Sequence, residues 1–287
     1  MNLRLDASDS ARAITLSHDG GLLLRYVVAS DAPANESPRP YVHPLHSLAG
    51  DPLTNFRPND HPWHHALSLC VNSADGANFW GGPTHRAADG YRWRDDHGAQ
   101  HHLAWTRLAC DGPRAELAHT LEWRARGETF LHEERSLSVE VNSAAHSWSL
   151  RWRSCLANTT ARPLALGHPH SREGLAGSHY TGLQFRGARA LLDDHGDPAI
   201  RVTNSDHLDG EQSVHAAPAS WMEWHAQSDT SLRRVTIRFE NHGGPLHWFL
   251  RRHNPLAAFP FHFDRDRALA PGAALGLDHS LTFTSPP

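Results

Sequence analysis

No lysine occurs in the chain; all 27 basic residues are arginine. That excludes a lysine Schiff base, a lysine anchor for pyridoxal phosphate and a P-loop lysine. Cysteine is scarce: Cys70, Cys110 and Cys155 show no metal-type spacing. An odd count reads as reduced thiols filling small core sites. The N-terminal stretch "MNLRLDASDSARAITL" has no apolar leader core, so a cytoplasmic location is expected. No apolar run approaches the ~20 residues of a membrane span. The net charge of −4 gives no basic field for nucleic acid. GxSxG, GxGxxG, CxxC and EF-hand patterns are missing, which argues against serine-hydrolase, dinucleotide and calcium-loop chemistry.

What the chain has in quantity is histidine, 25 residues, with 10 Trp and 10 Phe. Richness in Arg, Ala and Gly without Lys suggests a GC-rich genome. Part of the histidine excess is then compositional, and each single histidine starts from a plain structural reading. Hydrophobic residues make up 39% of the 287, enough to bury one large core.

Period-2 alternation dominates. In "LHEERSLSVEV", Leu131, Glu133, Arg135, Leu137, Val139 and Val141 share one face. In "SWSLRWRSCLA", Trp148, Leu150, Trp152 and Leu156 do so, and in "RRVTIRFE", Val235, Ile237 and Phe239. These are half-buried antiparallel strands. Further strands are expected over 22–28, 41–46, 67–72, 100–109, 115–124, 162–168, 180–186, 246–251 and 275–284. No long helical pattern, βαβ rhythm or fixed repeat interrupts them. The Pro-rich stretch 30–40 reads as a loop. The expectation is an all-β fold: one domain over 1–287, a large sandwich of two antiparallel sheets. A curved sheet of this kind often leaves a polar and aromatic face open to a sugar.

The densest polar motif is "NFRPNDHPWHHALSL", with Asp60, His61, His64 and His65 around Pro62 and Trp63. Pro62 suits the start of a helical turn, which would bring His61 near His64 and His65. The spacing is not HExxH, so a metal would need a third ligand. His43, His46, His168 and His170 are available. Capping of turns is the plain alternative. Alternation across Pro44 puts His43 and His46 on opposite faces, and His43 is the one expected in a shared pocket. Trp80, in "GANFWGG", is a candidate stacking platform for a sugar ring, against the commoner role of core tryptophan. "GHPHSREGLAGSHYTGLQFRG" combines His168 and His170 with Tyr180 and Arg186. The last two share a strand face and suit an oxygen-rich ligand. Glu133 and Glu134 point to opposite faces, so they are no glycosidase dyad. A buried Glu133–Arg135 pair is the leading reading there.

The motifs "RPYVHPL", "DHPWHHALSL", "GANFWGG", "YTGLQFRG" and "LAPGAALGL", in this order, resemble those of the DUF6807 proteins, also labelled PmoA-like. The family pattern "DHPHHRGL" matches at Asp60, His61, Pro62, His64 and Leu67. Trp63, His65 and Ala66 depart from it, and the missing arginine at position 65 removes an anion contact there. Some of these proteins also carry a methane-oxygenase label, which does not fit a chain without apolar spans. The resemblance implies a β-sandwich similar to proteins of sugar catabolism, with a galactose-mutarotase-like supersandwich as the analogous architecture.

The functional expectation is a carbohydrate-active enzyme working by acid–base chemistry. It would catalyse C–O cleavage by elimination or hydrolysis, or proton transfer next to a carbonyl. His61 or His64 is the base, Asp60 its orienting group, Tyr180 the acid and Arg186 the oxygen anchor. Trp80, His43, His65 and His168 complete the binding wall. No cofactor is required, and the partner is a small carbohydrate. Two alternatives stand. One is a divalent metal held by His43, His61 and His64 or His168, acting as Lewis acid. The other is a sugar-binding module without turnover.

Overall fold

A computed structural model describes residues 2–193 and 195–286. The expected all-β architecture is what the chain forms. An eight-stranded and a nine-stranded sheet carry most of it, with three small sheets at the margins. The nine-stranded sheet is built on long neighbours: Ala99–Asp111, Arg114–Ala125, Glu128–Asn142, Ser147–Asn158 and Ala274–Thr284. They pair antiparallel, with Leu137 opposite Trp152, Val139 opposite Leu150 and Val141 opposite Trp148. Those residues, with Leu131, Leu156, Val235, Ile237 and Phe239, are buried in the main core. The polar residues between them face outward, as a period of two dictates. Each large apolar side chain buried this way contributes about 1.5–3 kcal/mol.

One polar cluster sits inside this core. Glu133 and Arg135 are fully buried and paired at 2.7 Å. Trp123 Nε1 and the Ser154 hydroxyl donate to the Glu133 carboxylate. Arg135 donates further to the Tyr26 hydroxyl and the Gln100 side-chain carbonyl, both at 3.0 Å. Every arm of the guanidinium therefore has a partner. A buried pair is tolerable only when its remaining hydrogen-bonding capacity is used.

The eight-stranded sheet runs Leu3–Asp6, Ala13–His18, Gly21–Val27, Tyr41–Leu45, Leu67–Cys70, Gly182–Arg186, Leu256–Phe259 and Phe249–Arg251. In its middle, every residue of Leu67–Cys70, Gly182–Arg186 and Leu256–Phe259 is buried. One face packs Leu67, Leu69, Leu183, Phe185, Ala257 and Phe259 into the main core. The other carries a second apolar cluster of Cys70, Trp80, Phe249, Leu256 and Ala258, with Trp63 and Tyr180 against it. Loops have closed over this outer face, and the candidate site lies there.

Most expected strands are present within a few residues, but three local expectations are corrected. The 246–251 stretch splits into Leu246–His247 and Phe249–Arg251, which join different sheets. The expected strand 162–168 stops at Gly167, because His168 is the N-cap of a short helix, Pro169–Glu173. Pro62 does begin a turn that brings His61 beside His64, but no helix follows and His65 turns away. His61 N–H donates to the Pro58 carbonyl at 3.0 Å, and His64 N–H to the His61 carbonyl at 2.9 Å, giving two successive turns. No helix among the described residues is long and apolar enough to cross a membrane.

Removing one partner of the buried pair leaves an uncompensated charge. Arg135→Ala is expected to cost about 3–5 kcal/mol in urea unfolding. The double replacement Glu133→Leu/Arg135→Met is expected to cost less than that single change. A double variant less stable than Arg135→Ala would contradict the network as described.

Candidate functional site

The His-rich turns are held from beneath by two buried charged residues, Glu36 and Arg39. Arg39 donates to the Trp63 carbonyl at 2.7 Å and to the Glu36 and Ser37 carbonyls at 2.9 Å. Its Nε donates to the Ser68 hydroxyl at 3.1 Å. One side chain thus ties the Pro-rich loop, the His-rich turn and the sheet floor together. Glu36 takes a bidentate pair from Arg57 and lies 3.0 Å from His65 Nε2. Trp63 lies flat over Gly82: a Cβ there would run into its indole, and the backbone at Gly82 has φ +72°. A residue without a side chain is required at that approach.

Between these turns and the segments 80–91 and 249–256 lies a cleft of about 400 Å³. Asp60, His61, His64, Arg186 and Arg251 supply its polar side. Trp63, Trp80, Tyr91, Tyr180 and Phe249 supply its aromatic side. Of the nine expected catalytic and binding residues, Asp60, His61, His64, Trp80, Tyr180 and Arg186 line this one cleft. The His61 and His64 rings are 4.8 Å apart. Among the described residues, Asp60 is the one carboxylate in the lining. Its Oδ2 lies 3.1 Å from His61 Nδ1 and 3.5 Å from Arg186, while Oδ1 is 2.6 Å from Arg189. His64 Nδ1 is 3.4 Å from Arg186. The Tyr180 hydroxyl is 2.9 Å from that of Tyr91, and its ring packs 4.8 Å from Trp80. Trp80 is only 3% exposed and presents little open face. Trp63 is more open, with Trp93 edge-on to it at 5.7 Å.

The electrostatics separate the groups. Burial, then the Arg186 cation, pushes His64 well below the ordinary imidazole range, so its ring is neutral at pH 7. Burial, then the Tyr91 hydroxyl, pushes the Tyr180 phenol well above its usual value. Tyr180 therefore keeps its proton and can donate a hydrogen bond. Burial works against ionisation of Asp60, but the His61 contact and the Arg186 charge outweigh it and hold the carboxyl below its usual range.

Three expected residues lie outside the cleft lining. His43 points to Thr54, 2.9 Å away, and stacks on Phe56 at 5.5 Å. Strict alternation fails there because the pairing slips between Leu24 and Tyr26, so Val42 and Leu45 both face the core. His65 turns inward to Glu36 rather than joining His61 and His64. His168 caps the short helix and stacks on His262 at 4.2 Å. The metal set of His43, His61 and His64 is therefore not assembled. Among the described residues no three His, Cys, Asp or Glu side chains converge as a metal site. Sequence reasoning missed Tyr91, Arg251 and Phe249 as lining residues. Tyr91 sits on a three-residue strand, too short to show a period, and Arg251 ends the expected 246–251 strand, which breaks in two.

Comparison with known proteins gives the following. The model of DUF6807, a family of unknown function, matches residues 13–285. Similar solved structures include the galactosidase domain of an α-galactosidase–sucrose kinase, at 9% identity and TM-score 0.38, over 96% of this chain and 40% of that one. A protein from Synechocystis is similar at 12% identity and TM-score 0.37, over 95% of each chain. An α-galactosidase from Geobacillus stearothermophilus is similar at 10% identity and TM-score 0.38, over 100% of this chain and 40% of that one. The chain thus spans about 40% of the length of either galactosidase. No curated protein matches it in sequence.

The buried histidines make stability pH-dependent. Burial takes His43, His65 and His262 down to about 4, and His168 and His279 down to about 3. These folded-state values lie below the ordinary 6.5, so the unfolded chain binds protons first as pH falls. Stability is complete above that value and is lost progressively down to the depressed pKa values. The melting temperature is expected to fall by roughly 10 °C or more between pH 7 and pH 5. A flat or rising melting temperature across that range would contradict this burial.

Proposed function

The chain belongs to the DUF6807 family, and we propose that it is an acid–base enzyme acting on a sugar-sized substrate by proton transfer next to a carbonyl. Elimination of a neighbouring C–O bond extends the same chemistry. The observation that carries this reading is the meeting of Asp60, His61, His64, Tyr180 and Arg186 in one cleft with an aromatic wall. A volume of about 400 Å³ suits one or two sugar rings. A sugar needs an apolar surface for its C–H face and fixed polar groups for its hydroxyls.

His61 is the proposed base. It is part-exposed on the cleft rim, and Asp60 beside its Nδ1 leaves Nε2 for the substrate. His64 is buried and neutral, and Arg186 against its Nδ1 makes Nε2 the N–H end of the ring. It serves as a hydrogen-bond donor to substrate oxygen. Tyr180 donates in the same way, its hydroxyl oriented by Tyr91. Hydrolysis by two carboxylates needs a second Asp or Glu in the cleft. One carboxylate among the described lining residues favours proton transfer instead.

Incubating the protein in D₂O with aldoses, ketoses, uronates and 3-keto-glycosides tests this by proton NMR. Deuterium is expected to enter at one carbon next to a carbonyl. His61→Ala is expected to slow it by about 10²–10⁴-fold, with Tyr180→Phe also slow. Melting temperatures should stay near that of the parent. No exchange with any sugar, or exchange indifferent to His61→Ala, would remove the proposal.

A further inference from the structure

Three arginines are almost wholly buried among the described residues: Arg39, Arg135 and Arg186. Two of them are fully engaged. Arg39 makes four hydrogen bonds of 2.7–3.1 Å. Arg135 makes four of 2.7–3.0 Å. Arg186 is different. Its nearest contacts are Asp60 at 3.5 Å and His64 at 3.4 Å, and its Nε has no partner. Charge-assisted hydrogen bonds are normally about 2.7–2.9 Å. Asp60 is shared: its closer partner is Arg189, at 2.6 Å, and it reaches Arg186 only at 3.5 Å, so Arg186 has no close acceptor. A buried guanidinium is costly unless paired, and this one faces a cleft.

The charges around the cleft do not balance. Among the described residues that line the cleft, Arg186 and Arg251 stand against Asp60, which leaves one positive charge over. This occurs in a chain whose formal net charge is −4, so the excess is local. It matches a monoanion.

Resting on the proposed acid–base reading, we infer that the cleft takes an acidic sugar, whose carboxylate is received by Arg186 with Arg251 as a second cation. The guanidinium fork matches a carboxylate in plane and spacing. Neutralising that carboxylate also eases removal of the adjacent C–H proton, because charge accumulates on its oxygens as the proton leaves.

Isothermal titration of the full chain with matched ligands tests this. Glucuronate and galacturonate are compared with glucose and galactose, and with glucose 6-phosphate, at low salt. The better uronate is expected to bind at least about tenfold more tightly than its parent sugar, as one charge-assisted pair allows. Arg186→Gln should erase that preference, and Arg186→Lys should keep part of it. Arg251 is part-exposed, so Arg251→Gln should fold normally and weaken uronate binding several-fold. Equal affinity for uronates and neutral sugars would overturn the inference and leave the acid–base reading intact. Tighter binding of the sugar phosphate would overturn the carboxylate assignment. No binding by any of these ligands, together with no deuterium exchange, would overturn the sugar reading itself.

Discussion

The geometry of the cleft depends on one buried guanidinium. Arg39 has no place in the cleft lining, yet it bonds the Trp63 carbonyl, the loop carbonyls of Glu36 and Ser37, and Ser68 on the sheet. Glu36 completes the support from the other side through Arg57 and His65. Those contacts fix where the two turns around Pro62 begin and end, and so where His61 and His64 point. Carbonyls and hydroxyls buried under a loop need donors. Arginine supplies several from one fixed plane, which a lysine could not do.

That support also sorts the three clustered histidines. His65 goes down to Glu36 and helps hold the loop. His64 sits at the boundary, buried and neutral beside Arg186. His61 remains on the rim with a carboxylate at its Nδ1. One short sequence thus yields a structural histidine, a buried neutral ring and the proposed base. The environment of each ring decides its role, as expected of titratable groups in unlike surroundings.

The fold was legible where strands have one wet face. Glu128–Asn142 and Ser147–Asn158 alternate cleanly because their outward residues meet water, and even the buried Glu133–Arg135 pair could be read from its parity. The centre of the other sheet was harder. Leu67–Cys70 and Gly182–Arg186 are covered on both faces, so alternation no longer tells inside from outside. Six of the nine expected site residues share the cleft because motif density and strand parity picked them out. His43 does face away from the core, but Thr54 and Phe56 cover it there, and strand parity does not tell what covers a face. Arg39 and Glu36 lay in a stretch read only as Pro-rich loop, since their roles depend on partners 21–29 residues away. Tyr91 reaches the cleft from an element too short to carry a pattern, and Arg251 from a strand that breaks where one continuous strand was expected.

The central claim is that chemistry occurs in the cleft under the His-rich turns and not elsewhere on the sandwich. The outer face of the nine-stranded sheet offers a rival depression of about 610 Å³, lined by Arg107, Arg114, Arg151 and Glu140. A crystal structure of the protein with a bound sugar decides between them most directly. The expected result is a ring against Trp63 and Tyr180, with one C–H carbon about 3–3.5 Å from His61 Nε2. A sugar seated on the outer face of the long strands, with the His61 cleft empty, would contradict it.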